Sequence, residues 1–519
     1  MRIFLRSPLS LWLSFIGLLC LNACNSAQDS MTNLPTIWPI SYEIFVQSYA
    51  DGNGDGIGDF KGLTAKLDYL ADLGIGAIWL MPIHPSPSYH KYDVLNYYEV
   101  HPDYGTLAEF KELLQAAHAR NIRVIIDLVL NHSSDLHPWF VEARKGKDNP
   151  YRDYYVWTSE AEEMAKDPEW HWHALKDSAG NIVDNEKYYG FFWHGMPDLN
   201  MANPKVRAEI IEIARFWLKD IGVDGFRLDA AKFIFREDQP QKNHSWWKYF
   251  GDELRKIKAD VYLVAEVWDG PQAIAPYLEG LDACFNFKLS DLILGTAAKG
   301  RDSLDLLNNY MEIRKIYEPY RKDQYVDATF LANHDQNRSM TQLGNRINRA
   351  KMAASLLLTL PGTPYIYYGE EIGMLGKKPD EYIREPFLWA PQGVDTLQTS
   401  WEVPLYSSYE NVEPLSFQVE NKHSLYHHYK KLIALRKNSY ALSFGDIEAY
   451  PIKGDSLLAY ARSFEQEKLL IIHNLGGRRK SLPLPLQQFD LSFYTRKPNL
   501  NKKDSVELAS FSTIILTYK

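Results

Sequence analysis

The sequence predicts a (β/α)8 barrel with an inserted small domain after the third strand and a C-terminal antiparallel β-sandwich. Strand-like apolar runs alternate eight times with amphipathic, helix-like segments. A long stretch rich in Trp and Tyr interrupts the third repeat, and short, closely spaced strand-like runs replace the pattern after about residue 440. With 519 residues, the chain is long enough for a barrel and two smaller modules.

The eight predicted barrel strands lie within short runs rich in β-branched and aromatic residues. In chain order these runs are YEIFVQSYA, IGAIWLMPI, IRVIIDLVLNH, GVDGFRLDAA, VYLVAEVW, ACFNFKL, YVDATFLANHD and TPYIYYGEEIG. Amphipathic segments such as PKVRAEIIEIARFWLKDIG separate them, and parallel strands need such crossover helices. The barrel is therefore predicted to cover residues 38–132 and 198–438.

The two smaller modules have different signatures. Residues 133–197 are too many for an unstructured loop inside a compact barrel, so they are predicted to form an inserted domain. In residues 439–519, the runs LLAYARSF, KLLIIHNL, LSFYTRK and FSTIILTYK alternate with turn residues. This spacing predicts the C-terminal sandwich.

The N-terminus is predicted to be a targeting segment. Residues 1–23 combine a basic start, MRIFLR, with the apolar run LSLWLSFIGLLCL, as a signal peptide does. The sequence LNAC resembles a bacterial lipobox, which predicts lipidation of Cys24; signal cleavage nearby without lipid is the alternative. Residues 24–37 are predicted to form a polar tether. We therefore expect a membrane-anchored lipoprotein of a bacterial cell envelope, at the outer membrane or cell surface rather than freely secreted.

Composition limits the classes of partner. The net charge is −9 and the sequence contains no basic stripe, which argues against nucleic-acid binding. Aromatic residues make up 13% of the chain, which suits either a large core or the stacking of sugar rings. If Cys20 is removed with the signal and Cys24 carries lipid, Cys284 remains alone and forms no internal disulfide. A monomer is favoured.

The segment DGNGDGIGDF has the spacing of an oxygen cage for a hard cation. An EF-hand is excluded because Gly62 stands where the bidentate Glu would be, and because the preceding run is strand-like. Two alternatives stay open: a calcium site of another kind, or an Asp/Gly turn without metal. The candidate Ca2+ ligands are Asp51, Asn53, Asp55 and Asp59 with the carbonyl of Ile57.

Three predicted barrel strands end in an acid, where barrel enzymes place their catalytic groups. These acids are Asp229, Glu266 and Asp335, each within apolar sequence, where an unused charge is costly. Arg227 should lie on the same side of its strand as Asp229, and a nearby cation lowers a carboxyl pKa, so Asp229 is expected to be ionised. The apolar setting of Glu266 favours its protonated form. Such a pair suits glycoside hydrolysis by a nucleophile and a proton donor.

Five motifs in order resemble those of the α-amylase family of glycoside hydrolases. DLVLNH, GFRLDAAK, AEVW and ANHDQN are similar to its four signature regions, and MPDLN is similar to the region that marks its intermediate and neopullulanase-like branches. The resemblance covers about residues 38 to 519. It implies a retaining hydrolase of α-1,4-glucosidic bonds in starch-type glucans and maltooligosaccharides, with a structural calcium ion beside the catalytic face.

The resemblance also implies roles for individual residues. Asp229 would be the nucleophile, Glu266 the acid/base, and Asp335 the residue that stabilises the transition state through sugar hydroxyls. The implied substrate-binding residues are Tyr92, Asp93, His132, Arg227, Lys232, His334, Asp380 and Arg384. An exo-α-glucosidase, a cyclomaltodextrinase or neopullulanase, and a transglycosylase of the same family remain alternatives. A glycan-binding lipoprotein without activity is a remote alternative, because all three acids are present.

Overall fold

Eight parallel strands form the centre of the fold in the computed structural model, which describes residues 38–166, 168–177, 179–320, 327–501 and 504–519. Numbered along the chain, they are β1 (Ser41–Ile44), β2 (Ala77–Leu80), β3 (Arg123–Leu128), β7 (Gly225–Leu228), β8 (Tyr262–Ala265), β9 (Ala283–Cys284), β10 (Ala328–Phe330) and β11 (Thr363–Tyr367). Their order is β10-β11-β1-β2-β3-β7-β8-β9. A parallel bridge between Phe285 and Ala328 joins the two ends, so the predicted barrel is confirmed.

Large aromatic side chains fill the inside of the barrel. Trp38 stacks on Tyr262 with ring centroids 4.0 Å apart, and Trp79 packs beside Phe285 at 5.3 Å. These rings belong to a buried cluster separate from the larger apolar core, which includes residues of both the strands and the surrounding helices. The filled interior leaves the strand ends as the place where a ligand can enter.

Helices surround the barrel and connect its strands. The longer ones are Leu107–His118, Pro204–Arg215, Pro240–Ile257, Phe287–Lys299, Leu306–Tyr317, Ile347–Thr359 and Leu425–Lys437. The shorter ones are Val46–Tyr49, Phe60–Ala65, Leu67–Leu73, Pro271–Ile274, Ser339–Gln342 and Leu415–Glu420. Pro138–Ala143 and Ala161–Met164 belong to the insertion, and Tyr440–Phe444 lies between the barrel and the C-terminal sheets. None of the helices in the described ranges is both long and apolar enough to cross a membrane.

Local sequence signals set several helix boundaries. Thr106 and Glu109 form a reciprocal capping box at the start of Leu107–His118. Asn203 caps Pro204–Arg215, whose first residue is a proline that needs no hydrogen-bond partner there. Phe287–Lys299 ends at Gly300, which has a φ of 63° in the left-handed region that ends many helices.

The insertion after β3 forms a small antiparallel sheet over one side of the barrel mouth. Its strands β4 (Trp157–Thr158), β5 (Trp172–Lys176) and β6 (Ile182–Tyr189) pair in the order β4-β6-β5. The two ends of the insertion lie side by side, because His132 forms an antiparallel bridge with Asp198. The aromatic side chains of this module therefore lie near the C-terminal end of β3.

The C-terminal module consists of two antiparallel sheets with a shared apolar layer. One sheet contains β12 (Asp446–Ala449), β13 (Leu457–Phe464), β14 (Glu467–Asn474), β16 (Phe489–Tyr494) and β19 (Ser512–Tyr518), and the other contains β15 (Lys480–Pro483), β17 (Asn499–Asn501) and β18 (Ser505–Leu508). Leu470, Ile514 and Val506 are completely buried between them. The predicted sandwich is confirmed, although the short polar strands β12, β15, β17 and β18 gave no clear signal.

The first barrel strand is shorter than the sequence predicts. The run YEIFVQSYA is a strand only as far as Ile44, after which Val46–Tyr49 forms a buried helical turn. Tertiary contacts decide this, since the Ser48 hydroxyl donates to the carbonyl of Arg384 and β-type residues alone do not exclude a helical turn.

The predicted signal peptide, the tether and Cys24 lie outside the described residues.

Candidate active site

A cavity of about 420 Å³ opens at the C-terminal ends of the barrel strands. Asp229 follows β7, Glu266 follows β8 and Asp335 lies beyond β10. The lining side chains are His90, Tyr92, His132, Phe192, Trp193, Met196, Asp229, Ala230, Phe233, Glu266, Trp268, Asp335, Lys378, Asp380 and Arg384. The fold thus brings all three strand-end acids to one cavity, together with four of the predicted substrate-binding residues.

One buried guanidinium organises the carboxylates. Nη1 of Arg227 lies 2.6 Å from Oδ1 of Asp229 and 2.9 Å from Oδ1 of Asp127, and Nη2 lies 3.1 Å from Oε2 of Glu266. The side chain of Arg227 is 1% exposed, so water does not screen these attractions. The backbone N–H of Ala230 also donates to Oε2 of Glu266 at 3.1 Å. Asp229 and Glu266 are therefore held in fixed positions at the base of the cavity.

The pKa of Asp229 differs from the sequence expectation. Burial raises it, Arg227 lowers it, and the negative charges of Asp127 and Glu266 raise it, with the result that the pKa lies well above the usual carboxyl value. The expectation of a lowered pKa was wrong because it considered only Arg227. Asp127 and Asp229 share one buried cation, Arg227, so the protons of these two carboxyl groups titrate together.

A second charged network holds Asp335. Nδ1 of His334 lies 2.5 Å from Glu43, and Nε2 of His334 lies 3.1 Å from Asp335. Burial lowers the pKa of His334, but Asp335 and Glu43 raise it to about 10, so its imidazole is charged at neutral pH. Burial raises the pKa of Asp335, but His334 and Arg384 hold it well below the usual range. Asp335 is therefore an anion that faces the cavity.

This network has a defined pH window of stability. The pKa of His334 is raised above its unfolded value, so its contribution to folding is present below about pH 6.5 and is lost as pH rises through about 10. The pKa of Asp335 is depressed, so its contribution is present above about pH 4 and is lost at lower pH. Both contributions are fully present together between about pH 4 and pH 6.5.

Two neutral side chains, His132 and Tyr92, complete this side of the cavity. Burial lowers the pKa of His132 to about 3, so its imidazole is uncharged. Nε2 of His132 is buried without a hydrogen-bond partner in the described part of the chain, and the residue lines the cavity. Tyr92 is held through its hydroxyl, 2.6 Å from Nε2 of His334. A buried polar atom without a partner is costly, so His132 is prepared to bond a ligand hydroxyl.

Aromatic rings form the outer walls of the cavity. Phe192 and Trp193 come from the insertion and are 46% and 45% exposed, while Trp268 is 50% exposed and stacks on Phe287 at 4.6 Å. On the insertion side, Phe191 stacks on Phe233 at 3.9 Å. Exposed flat rings beside carboxylates suit the apolar faces of a sugar and its polar edges.

Some predicted site residues lie outside the cavity surface. Asp93 is buried, and its carboxylate accepts hydrogen bonds from Ser86 and Ser88 at a turn. Arg227 and His334 support Asp229 and Asp335 from behind. Lys232 pairs with Asp269 at 2.9 Å and with Glu237 at 3.1 Å, and it does not line the cavity. Sugar contacts by these residues stay predictions.

The structure adds supporting residues that the sequence analysis did not select. Asp127 holds Arg227, and Glu43 holds His334. Tyr89 accepts a hydrogen bond from Nη1 of Arg384 at 3.3 Å, and His90 lines the cavity. Asp127 could have been found, because it is an acid in an apolar run near a strand end, as Asp229 is. Glu43 gave no such signal, because the predicted first strand, YEIFVQSYA, continued to Ala50 and placed Glu43 at its start.

The Asp/Gly loop lies between the helices Val46–Tyr49 and Phe60–Ala65. The oxygens of Asp51, Asn53, Asp55 and Asp59 accept backbone N–H groups within the loop. Gly62 has no space for a side chain, because a Cβ there would lie 2.1 Å from the carbonyl oxygen of Ala50. In the described ranges, no group of three or more His, Cys, Asp or Glu side chains is arranged to hold a metal ion.

The chemistry of these donors nevertheless suits a hard cation. Burial raises the pKa of Asp59, neighbouring N–H groups lower it, and Asp51 and Asp55 raise it again by like charge. Three carboxylates in one loop repel each other, and a divalent ion would relieve that repulsion. The loop therefore fits calcium by its type of ligand.

Comparison with known proteins decides the family. The α-amylase catalytic domain model matches residues 43–445, and the model of the SusG α-amylase C-terminal domain matches residues 457–515. The chain belongs to the α-amylase family of glycoside hydrolases. This family member is therefore a glycoside hydrolase of the α-amylase type, and the resemblance in the motifs is confirmed.

Relatives of this α-amylase family member cover nearly its whole length. It is 45% identical to α-amylase 3 of Dictyoglomus thermophilum, over 92% of both chains. It is 35% identical to the 4-α-glucanotransferase of Thermotoga neapolitana, over 84% of this chain and 96% of the relative. The crystal structure of α-amylase from H. orenii superposes with a TM-score of 0.83 at 42% identity, covering 92% of this chain and 99% of the other.

Proposed function

We propose that this enzyme hydrolyses α-1,4-glucosidic bonds of starch-type glucans and maltooligosaccharides with retention of configuration. The arrangement of Asp229 and Glu266 around Arg227, at the base of an aromatic-walled cavity, carries the proposal. Retaining hydrolysis requires two closely spaced carboxyl groups, one as nucleophile and one as acid and then base. Two carboxylates bound to the two terminal nitrogens of one guanidinium meet that requirement.

The chemical steps follow from these positions. Glu266 donates a proton to the glycosidic oxygen while a carboxylate oxygen of Asp229 bonds to the anomeric carbon, and the C–O bond to the leaving sugar breaks. Glu266 then takes a proton from water, whose oxygen displaces Asp229 and frees the sugar. Asp335 and His132 face the same cavity and hold sugar hydroxyls. Arg227 keeps its positive charge throughout and compensates the carboxylates.

A product profile tests the substrate and the mode of action. Wild type and Glu266→Gln would be incubated with soluble starch, maltotriose, cyclodextrin and pullulan. We expect mixed maltooligosaccharides from starch with the wild type and almost none with the variant. Glucose as the sole product from short substrates would replace the proposal with an exo-α-glucosidase. Absence of products from every substrate would support a glycan-binding protein instead.

A transglycosylase is the second candidate, because the Thermotoga glucanotransferase is similar over most of both chains. In such an enzyme a sugar hydroxyl replaces water as the acceptor for the glycosyl-enzyme. Incubation with maltotriose as the sole substrate distinguishes hydrolysis from transglycosylation. Products longer than maltotriose, formed before appreciable reducing-sugar release, would favour the transferase.

The pH below which kcat/KM falls should depend on Asp127. The nucleophile must be ionised, and the negative charge of Asp127 raises the pKa of Asp229. In Asp127→Asn this like charge is removed, so we expect the acid limb of the kcat/KM profile to move to lower pH. Asp224→Asn is the matched control, because Asp224 precedes β7 at the opposite end of the strand and bonds His118. An unchanged acid limb in Asp127→Asn would contradict this electrostatic coupling.

We also propose that the enzyme carries a structural calcium ion on the loop after β1. The ligands would be Asp51, Asn53, Asp55 and Asp59 with the carbonyl of Ile57. The ion would neutralise the like charges of the loop and fix its conformation. Asp59 would then brace the Phe60–Ala65 helix, which it caps by accepting the N–H of Gly62 at 2.7 Å.

Chelation tests the calcium proposal through stability. A ligand present at 100 times its Kd stabilises a protein by about 2.7 kcal/mol, so EDTA should lower the melting temperature by several degrees. Asp51→Asn should melt lower in calcium and respond less to EDTA. Asp68→Asn, at an exposed carboxylate paired with Arg120, is the control and should respond as wild type. No EDTA effect on the wild type would count against the ion.

We propose that a lipid on Cys24 anchors the enzyme in a bacterial cell envelope, with the α-glucan as its substrate at the outer membrane or cell surface. The basic start, the apolar run and LNAC support this proposal. Cys24→Ala should lose incorporation of labelled fatty acid and move from the membrane to the soluble fraction. Cys284→Ala should leave both unchanged, because Cys284 is a buried barrel residue. Equal labelling of Cys24→Ala and wild type would refute the anchor.

A further inference from the structure

A second cavity, of about 330 Å³, lies between the barrel helices and the C-terminal sandwich. It shares no lining residue with the catalytic cavity. Lys351 comes from Ile347–Thr359, His428 and Lys431 come from Leu425–Lys437, and Arg496 follows β16. Three separate parts of the chain thus contribute cationic or ionisable side chains to one concave surface.

The charges of this cavity have one sign. Its lining includes Lys351, Lys422, Lys431 and Arg496 but no Asp or Glu. Within the described residues, no carboxylate lies within 4.0 Å of these four side chains. Lys351 donates to the carbonyl of His423, and Arg496 donates to Asn348 at 2.8 Å, so both are positioned but not neutralised. Such a group is notable in a chain with a net charge of −9.

The cations affect one another in the free protein. Burial, Arg496 and Lys431 lower the pKa of Lys351. Burial lowers the pKa of His428 to about 3, and Lys351, Lys431 and Arg496 contribute to that shift. Like charges so close together are unfavourable, and a bound anion would relieve their repulsion.

Aromatic side chains form the sandwich side of the cavity. Phe493, Tyr494 and Phe511 belong to its lining, and Tyr494 is 45% exposed. Phe511 has a φ of 46°, in the left-handed region that bulky residues rarely adopt. Phe511 lies in the turn between β18 and β19, at the edge of the cavity.

We propose that this cavity binds a phosphorylated sugar, with the phosphate held by Lys351, Lys431 and Arg496 and the sugar beside Phe493 and Tyr494. Arginine and lysine are the usual partners of phosphate, and three of them match its three free oxygens. The volume is at the lower end of the range of about 300–1,000 Å³ for small-molecule sites, which suits a monosaccharide phosphate. The site is independent of the proposed hydrolysis.

Calorimetric titration of the full chain tests the site. The probes are glucose 6-phosphate, inorganic phosphate and glucose at one ionic strength, because salt screens exposed charges. We expect one site for glucose 6-phosphate, weaker binding of inorganic phosphate, and no binding of glucose outside the catalytic cavity. Lys431→Gln and Arg496→Gln should each weaken glucose 6-phosphate binding about tenfold.

Lys430→Gln is the matched control on the same helix. The ammonium of Lys430 pairs with Asp72 at 2.5 Å and does not line the cavity, so binding should be unchanged. Wild-type affinity in both Lys431→Gln and Arg496→Gln would overturn the site. Equal affinity for inorganic phosphate and glucose 6-phosphate would overturn the sugar part. Starch hydrolysis should stay unchanged in all three variants, which separates this proposal from the proposed function.

Discussion

Asp229→Asn is expected to lower kcat for starch by about 10⁴-fold or more, because an amide cannot form the glycosyl-enzyme. The fold should persist, since Arg227 keeps Asp127 and Glu266 as partners. The measurement is reducing-sugar release by wild type and variant at equal protein concentration. The melting temperature of each protein, measured in parallel, separates loss of chemistry from loss of structure.

Two further variants sharpen the assignment of Asp229. Asp229→Ala leaves space beside the anomeric carbon, so added azide should attack there and give a glycosyl azide of inverted configuration from an activated substrate. Asp224→Asn changes an acid at the other end of the same strand and should keep nearly full activity. Activity of Asp229→Asn within tenfold of wild type would show that another group is the nucleophile.

Glu266→Gln should lower kcat for starch by about 10² to 10⁴-fold, the usual contribution of general acid–base catalysis. The amide keeps the size of the side chain but cannot donate and regain a proton. The loss should depend on the leaving group. From an aryl maltoside with an acidic phenol, the phenolate leaves without protonation. Formation of the glycosyl-enzyme from this substrate should therefore remain fast.

The variant Glu266→Ala distinguishes the two halves of the reaction. Its glycosyl-enzyme should accumulate from the aryl maltoside, because water is no longer activated. Azide should then release the sugar as a glycosyl azide of retained configuration, opposite to the outcome for Asp229→Ala. Lys378→Gln, at another residue of the cavity wall, is the control and should show no dependence on the leaving group. Equal losses of kcat/KM, which reports formation of the glycosyl-enzyme, with starch and with the aryl maltoside in Glu266→Gln would refute the acid role.

Sequence reasoning located the acids through the geometry of a barrel. Asp229 and Glu266 follow apolar strands, and parallel strands of one barrel end on the same face, so their meeting could be predicted. Asp127 has the same local character but was overlooked, because it precedes its signature histidine by five residues. Glu43 could not be found, since its importance depends on contact with His334, 291 residues away in the chain.

The electrostatics of the site could not be read from neighbours in sequence. Arg227 is two residues from Asp229, and this pair alone predicts a lowered pKa. Asp127 and Glu266 come from other strands, and their charges together with burial reverse the direction of the shift. A pKa reports all nearby charges and the local solvent, which only the assembled barrel defines.

The cationic cavity is a further example of what sequence spacing conceals. Lys431 lies 80 residues after Lys351, and Arg496 lies a further 65 residues along the chain. No motif connects the three residues. Lys430 and Lys431 are adjacent, yet one pairs with Asp72 and the other lines the cavity. The two side chains differ because consecutive residues of a helix point in different directions.

The sequence by itself determined the barrel, its insertion, the C-terminal sandwich and the three acids at strand ends, because periodicity and strand termini are local properties. The tertiary structure decided the end of the first strand, the partners of Arg227 and His334, and the direction of the pKa of Asp229. It also decided which cations share a cavity. These features depend on contacts between distant segments, and burial strengthens or weakens each charge only after those segments have packed.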